Sequence, residues 1–231
     1  MPKVAIVAAL RREVAPLARK FARVDAGPDA SCAYRGSDVL LVCGGIGGKN
    51  AAVAARWAIA SIKPELVMSA GFAGALVAEC KVGDVISPGT VIDEATGESF
   101  PVASGRGVLV TSASVHDERG KSELAVGYRA QAVDMEAAAV ARVAGENGIP
   151  FFAVKSISDE VGFRMPPMER FIDERGRIRN SGLLAYAAVR PVLWPVLVRL
   201  GMNAKEASSQ LCKWLMNQMS RDFQDIWEGV G

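Results

Sequence analysis

Apolar residues in this chain gather in short unbroken runs, separated by glycine clusters and alanine-rich stretches. Val4-Ala5-Ile6-Val7-Ala8-Ala9-Leu10, Val39-Leu40-Leu41-Val42-Cys43 and Leu66-Val67-Met68-Ser69-Ala70 carry no charge, which predicts strands buried on both faces. The second run ends in Gly44-Gly45-Ile46-Gly47-Gly48 and the third in Gly71-Phe72-Ala73-Gly74. Between them, Arg12 to Phe21 shows a helical face of Val14, Leu17, Ala18 and Phe21. Asn50 to Ile62 reads as a helix stopped by Pro64. Repeated strand–glycine–helix units predict an α/β fold with a largely parallel sheet.

Past residue 82 the pattern is less regular. Val82 to Ile86 opens it; Val91-Ile92-Asp93 and Ser99-Phe100-Pro101-Val102 are placed to pair around Thr96-Gly97, and Gly107 to Thr111 is a further short strand. Met135 to Asn147 reads as a helix feeding the apolar run Phe151 to Glu160, which ends at Ser158-Asp159. A strand that stops there leaves a carboxylate at its C-terminal end, where open α/β sheets bind ligands. A proline- and charge-bearing loop, 162–179, follows, then two helices, about Gly182 to Leu200 and Ala204 to Met219. No repeat or linker appears, so a single domain over 1–231 is expected. Leu183 to Val198 is apolar, but Arg190, Pro191 and Pro195 interrupt it and a spanning helix needs ~20 mostly apolar residues. A packed helix is the expectation, with membrane-surface contact as its rival.

Composition narrows the classes. Half of the 231 residues are apolar and the net charge is +2 with no basic run, which fits a globular protein and argues against nucleic acid as a partner. Cys32, Cys43, Cys80 and Cys212 stand singly, pointing to reduced thiols rather than a zinc site; no metal or cofactor is expected. The start, Met1-Pro2-Lys3, runs straight towards a strand, so a cytoplasmic protein without a cleaved leader is expected.

The chemistry lies in the glycine turns and the acids. Gly44 to Gly48 could cradle an anion, but it lacks the Gly-Lys-Ser/Thr ending of a phosphate loop and the spacing of a dinucleotide fingerprint. Tight turns explain it better, and with Gly71 to Gly74 it marks the rim of a pocket. Asp134 and Glu136 stand at a helix start, where they complement the helix dipole. Glu136 leads into an apolar face, so it would be partly buried and would need partners, for which the paired hydroxyls of a ribose are suited. Glu13 reads as a solvated surface acid and Asp159 as a cap; for each acid the functional reading stays open.

In combination, Ala9-Leu10-Arg11-Arg12-Glu13-Val14, Gly45-Ile46-Gly47, Ala70-Gly71-Phe72-Ala73-Gly74, Gly83-Asp84-Val85, Val133-Asp134-Met135-Glu136-Ala137 and Ile157-Ser158-Asp159 resemble the nucleoside phosphorylase superfamily, most of all its methylthioadenosine/S-adenosylhomocysteine nucleosidases. The resemblance implies a mixed sheet partly closed into a barrel and flanked by helices, in a homodimer or higher homo-oligomer. It implies hydrolysis of the N-ribosyl bond of a 5′-substituted adenosine without a cofactor. By the same token Glu13 would position water, Glu136 bind the ribose hydroxyls with Met135 packed on the sugar, and Asp159, beside Ser158, protonate N7 of the base. Ala70, Gly71, Phe72 and Val115 would complete the binding site. N-glycoside cleavage suits these residue types: a carboxylate stabilises the oxocarbenium-like centre, and a buried acid kept neutral can protonate the leaving base.

Three departures bear on the substrate. Ser69 and Phe72 stand where phosphorolytic relatives carry an arginine and a Ser/Thr, which favours water as the nucleophile, although Arg11, Arg12 and Lys49 are near in sequence. Lys155 stands at a frequent arginine position, for which a structural pairing is expected. Ser112-Ala113-Ser114-Val115-His116 replaces the usual aromatic that stacks on the base; His116, the single histidine, is either a substrate contact or a solvated loop residue. Gly162 to Phe171 is richer in aromatic and methionine residues than the family's segment, suited to a large hydrophobic 5′ substituent such as that of adenosylhopane, or to a subunit interface. Phosphorolysis is therefore the runner-up activity. A nucleoside-binding protein without catalysis is the alternative of another class, and a dinucleotide-binding oxidoreductase a distant third.

Overall fold

The computed structural model describes the chain apart from residues 1–2, 28–29, 103, 164–165, 167, 180–181, 183–185, 187–189 and 229–231. The strands are β1 (Val4–Ala8), β2 (Ala22–Val24), β3 (Cys32–Arg35), β4 (Val39–Cys43), β5 (Leu66–Ala75) and β6 (Val85–Ile86). They continue with β7 (Thr90–Asp93), β8 (Ser99–Pro101), β9 (Val108–Thr111), β10 (Ala132–Asp134) and β11 (Phe151–Asp159). The helices are α1 (Ala15–Ala18), α2 (Gly48–Ile62), α3 (Glu118–Tyr128), α4 (Ala137–Glu146), α5 (Trp194–Ser220) and α6 (Gln224–Trp227).

All eleven strands form one mixed sheet in the order β2-β3-β4-β1-β5-β10-β9-β7-β8, with β11 and then β6 branching from β5. Parallel pairing joins β5 to β1 and β11, antiparallel pairing joins β5 to β10, and the outermost pairs β2–β3 and β7–β8 are antiparallel. This path does not return on itself; the sheet forks at β5 rather than closing. The apolar pattern accounts for the middle strands: β1 and β4 are buried at every position and β11 at all but its first residue, with helices covering both faces. Leu211, Cys212 and Leu215 of α5 pack into one core cluster. The alanines of α2 (Ala51, Ala54, Ala55, Ala58) and Val140, Val143 and Ala144 of α4 fill the other. Small side chains let those two helices lie close to the sheet.

Several elements differ from the expectation. β5 does not end at Ala70 but runs through Gly71-Phe72-Ala73-Gly74 to Ala75. The helix expected over Arg12 to Phe21 is a 3₁₀ turn, Arg11–Glu13, followed by the single turn of α1. Pro16 starts a new turn there, while the Glu13 side chain folds back onto backbone N–H groups of the loop before it. The two expected C-terminal helices are one from Trp194 onward, because Gly201 is carried inside α5. Most of the region before it, 183–185 and 187–189, lies outside the described residues. The apolar start of α5 is not packed as expected: Trp194 (54 %), Val198 (61 %) and Met202 (68 %) are exposed. Among the described residues no helix is long and apolar enough to cross a membrane. All four cysteines are free and buried, but Cys32 and Cys43, apart in sequence, face each other across β3 and β4.

Candidate active site

Two irregularities of the central strands build the site. Along β5, one core cluster takes Leu66, Met68 and Ala70 and then Ala73 and Ala75, so the alternation of faces slips between residues 70 and 73. The slip sets Gly71 behind the Glu13 carboxyl and Gly74 on the cavity wall beside Asp159, although they are three residues apart. Both approaches are close: a Cβ at Gly71 would sit 3.0 Å from Glu13 Oε2, and one at Gly74 would sit 3.0 Å from Asp159 Oδ2, so a larger residue would push on either acid. In β11 the register against β5 shifts between Ile157 and Asp159, leaving Ser158 as the extra residue of a bulge. Ser158 and Asp159 consequently both line the cavity.

Glu13, expected on the surface, is buried at 6 % exposure. Its Oε2 accepts from the N–H groups of Ala9 (3.0 Å) and Leu10 (3.1 Å), which fixes it at the C-terminal end of β1. Burial raises its pKa, opposed by the Leu10 N–H and the Lys155 charge. Glu136, also buried, precedes α4 and accepts from the Gly47 N–H at 2.8 Å, tying the glycine turn after β4 to the entrance of α4. Burial first and the neighbouring Asp134 second push its pKa to about 8, so it is largely neutral at pH 7 rather than the carboxylate assumed from sequence. Asp134 does the helix-capping work: it accepts from the Ala137 N–H at 2.9 Å and from Thr111 Oγ1 at 2.6 Å.

Lys155 lies beneath these acids with its side chain 2 % exposed, its Nζ 2.8 Å from Asp134 Oδ2 and 3.0 Å from Ser69 Oγ. Although burial disfavours its charge, Asp134, Glu136 and Glu13 together raise its pKa. The structural pairing expected for this lysine is thus specific, and Ser69 belongs to it. Arg12 reaches the cavity, Lys49 lines a separate depression, and Arg11 lies 6.0 Å over the Tyr34 ring. The nucleophile end is therefore rich in acids, and its buried lysine is already committed to Asp134.

At the other end, Asp159 is not in the apolar surroundings expected of it. Its Oδ1 accepts from Ser158 Oγ at 2.9 Å, and its Oδ2 lies 2.5 Å from Lys121 Nζ, both side chains being buried. Lys121 is the functional residue that the sequence reading missed, since α3 went unrecognised among charges and glycines. Its signal was position: Lys121 and Leu124 are one helical turn apart and are the buried residues of α3.

Of the remaining expected residues, Met135 lines the cavity, as do Phe72 and Val115, the latter 38 % exposed. Ala70 is buried in the core and Gly71 backs Glu13, while Ala73 and Gly74 stand on the cavity wall beside Phe72. His116 is in the wall as well, its Nε2 2.7 Å from Ser112 Oγ and 3.4 Å from Glu94 Oε2. The mouth is apolar. Of the loop at 162–179, residues 164, 165 and 167 lie outside the described set. Ile172 and Ile178 pair with each other and line the cavity with Ile46 and Leu200. The Ile46 N–H donates to the Gly176 carbonyl at 2.9 Å, which fastens the segment across the opening.

Comparison with known proteins gives a consistent picture. The family model described as "Phosphorylase superfamily" matches residues 3–104 and 94–181. A 5′-methylthioadenosine/S-adenosylhomocysteine nucleosidase of Bacillus subtilis is 26 % identical over 200 residues, covering 69 % of this chain and 87 % of that protein. The same fold occurs in a Helicobacter pylori nucleosidase of that name, solved with butyl-thio-DADMe-Immucillin-A. Its TM-score is 0.71 at 17 % identity, over 96 % of this chain and 99 % of the other. It occurs too in the Helicobacter pylori futalosine hydrolase, at TM-score 0.71 and 16 % identity over 95 % and 98 % of the two chains.

Proposed function

Since this chain belongs to the phosphorylase superfamily, we propose that it hydrolyses the N-ribosyl bond of a 5′-substituted adenosine and releases adenine. The observation that carries hydrolysis over phosphorolysis is that the buried lysine at the nucleophile end is already taken by acids. Glu13, Asp134 and Glu136 surround one lysine there, and Lys155 is already held by Asp134. A phosphate dianion would find no uncommitted lysine there and would have to sit against the Glu13 carboxyl, whereas a neutral water would be oriented by Glu13. Glu136 takes the ribose hydroxyls with Met135 against the sugar. Its neutral side chain both donates and accepts, and the growing positive charge on the ribosyl carbon draws it towards the carboxylate form. Asp159 and Ser158 meet the base, and Phe72 and Val115 pack around it. The 5′ substituent extends towards Ile46, Ile172, Ile178 and Leu200, which supports an apolar group there.

The assay is adenine release from methylthioadenosine and from long-chain 5′-alkyl adenosines, with and without phosphate. Release without phosphate is expected, with Asp159→Asn inactive but folded. Strict phosphate dependence would replace hydrolysis by phosphorolysis, and tight binding without product would replace both by a binding role. Free, buried cysteines support work in a reducing cytoplasm. The exposed apolar start of α5 supports a homo-oligomer, which sedimentation of the purified protein tests.

A further inference from the structure

The contact between Lys121 and Asp159 bears on how the leaving base obtains its proton. Both oxygens of Asp159 are engaged: Oδ1 by the Ser158 hydroxyl and Oδ2 by the Lys121 ammonium at 2.5 Å. An aspartate in a buried ion pair holds no proton to give, yet the base needs one to leave. The hydrogen nearest to Asp159 that a base could use is on Lys121. Geometry favours its transfer. Lys121 extends from the first turn of α3, whose start is capped by Asp117 through the Gly120 N–H at 2.9 Å, and it reaches the cavity wall. The absence of a Cβ at Gly74, which would lie 3.4 Å from Nζ and 3.0 Å from Oδ2, leaves room for the pair.

We propose that Lys121 is a positioning residue that both holds Asp159 and supplies the proton it delivers, an inference that rests on the hydrolytic reading of the site. As the bond from the ribosyl carbon to the base breaks, its electron pair goes to the base. Lys121 Nζ gives a proton to Asp159 Oδ2 as Asp159 gives one to the base nitrogen, leaving a neutral amine beside a carboxylate. A water oxygen bonds to the ribosyl carbon, and its proton passes to Glu13. Solvent then restores a proton to Lys121 and removes one from Glu13, so the cycle balances with no other reactant.

The test compares Lys121→Met and Lys121→Arg in the full-length protein, both checked for folding by thermal melting. The charged and titratable groups that line the cavity with the pair are His116, itself against Glu94, Asp134 and Glu136 before α4, and Arg12 and Glu13 after β1; all stay in place. Near pH 7.5, Lys121→Met is expected to lose about 100-fold in kcat, the range of general acid catalysis. That deficit should shrink as pH falls, when solvent protonates the unpaired Asp159. Lys121→Arg keeps the charge but releases no proton, so it should be as slow with no acid recovery and with KM little changed. An arginine variant within about 3-fold of the parent in kcat, or a methionine variant equally slow at every pH, would overturn the relay. Should neither variant fold, the unaltered protein still decides. A 4-nitrophenyl riboside needs no proton to leave, so its cleavage should lack the alkaline decline of adenine release; parallel declines would refute the proposal. If the unaltered protein releases no adenine at all, it is the proposed function that fails.

Discussion

Lys155 and Lys121 are both buried lysines against carboxylates at the edge of one cavity, and they differ in how many charges each must balance. Lys155 sits among Asp134, Glu136 and Glu13 and has a hydroxyl, Ser69, as well. Lys121 has Asp159 alone, with both side chains on the cavity wall. A cation ion-paired to Asp134 with two further acids at hand cannot lose its charge without leaving a buried carboxylate unbalanced, so Lys155 is a fixed element of the fold. A one-to-one pair can exchange a proton and remain neutral overall. The contrast separates a lysine that holds the site together from one available to the chemistry.

The sharpest way to break this comparison is to remove each charge. Lys155→Met should cost about 3–5 kcal/mol of unfolding free energy, as for a buried pair stripped of one partner. Lys121→Met should cost about 1–2 kcal/mol, because Asp159 can take up a proton at the cavity wall. Denaturant unfolding of the two variants measures both, and equal costs would erase the distinction. A finer measurement concerns Glu136. With its pKa raised to about 8 from an ordinary value of 4.5, the folded state binds a proton the unfolded chain has released. Its favourable contribution is full below about pH 4.5 and is lost progressively as pH rises to about 8. Melting temperatures of Glu136→Gln and the parent should therefore diverge across that window in favour of the variant, and a constant difference would contradict the shift. The smallest effect is expected at the glycines. Gly74→Ala crowds the pair of Lys121 and Asp159, and Gly71→Ala crowds Glu13; each should lower kcat by about 10-fold with a stability loss near 1 kcal/mol. A larger activity loss at Gly74 than at Gly71 would place the tighter geometric demand on the proton-delivering end.

How far the sequence could be read follows from the same physics. β4 and the first half of β11, Phe151 to Val154, were legible because uncharged apolar runs bounded by glycine or proline admit few other structures. Glu136 and its burial were legible because the acid opens an apolar helical face. β2, β3 and β10 are three or four residues long with charged or mixed neighbours, too short for a period to show. Glu13 was misplaced on the surface because its burial depends on backbone N–H groups that only the folded turn presents. Lys121 was overlooked for a similar reason: its partner is 38 residues away, and its spacing from Leu124 is the one sign in α3 that it faces inward.

The bulge at Ser158 has a consequence for how this chain can change. The bulge turns two successive residues, Ser158 and Asp159, into the cavity, so the place at which Asp159 emerges is set by how many residues precede it in β11 rather than by which they are. Trimming one residue from the strand would move Asp159 into the place of Ser158, out of register with Lys121, and draw Glu160 into the place of Asp159, with nearly the same composition. Substitutions along Phe151 to Ile157 are thus a gentle form of variation here, while a single codon lost or gained between Pro150 and Asp159 silences the site at once.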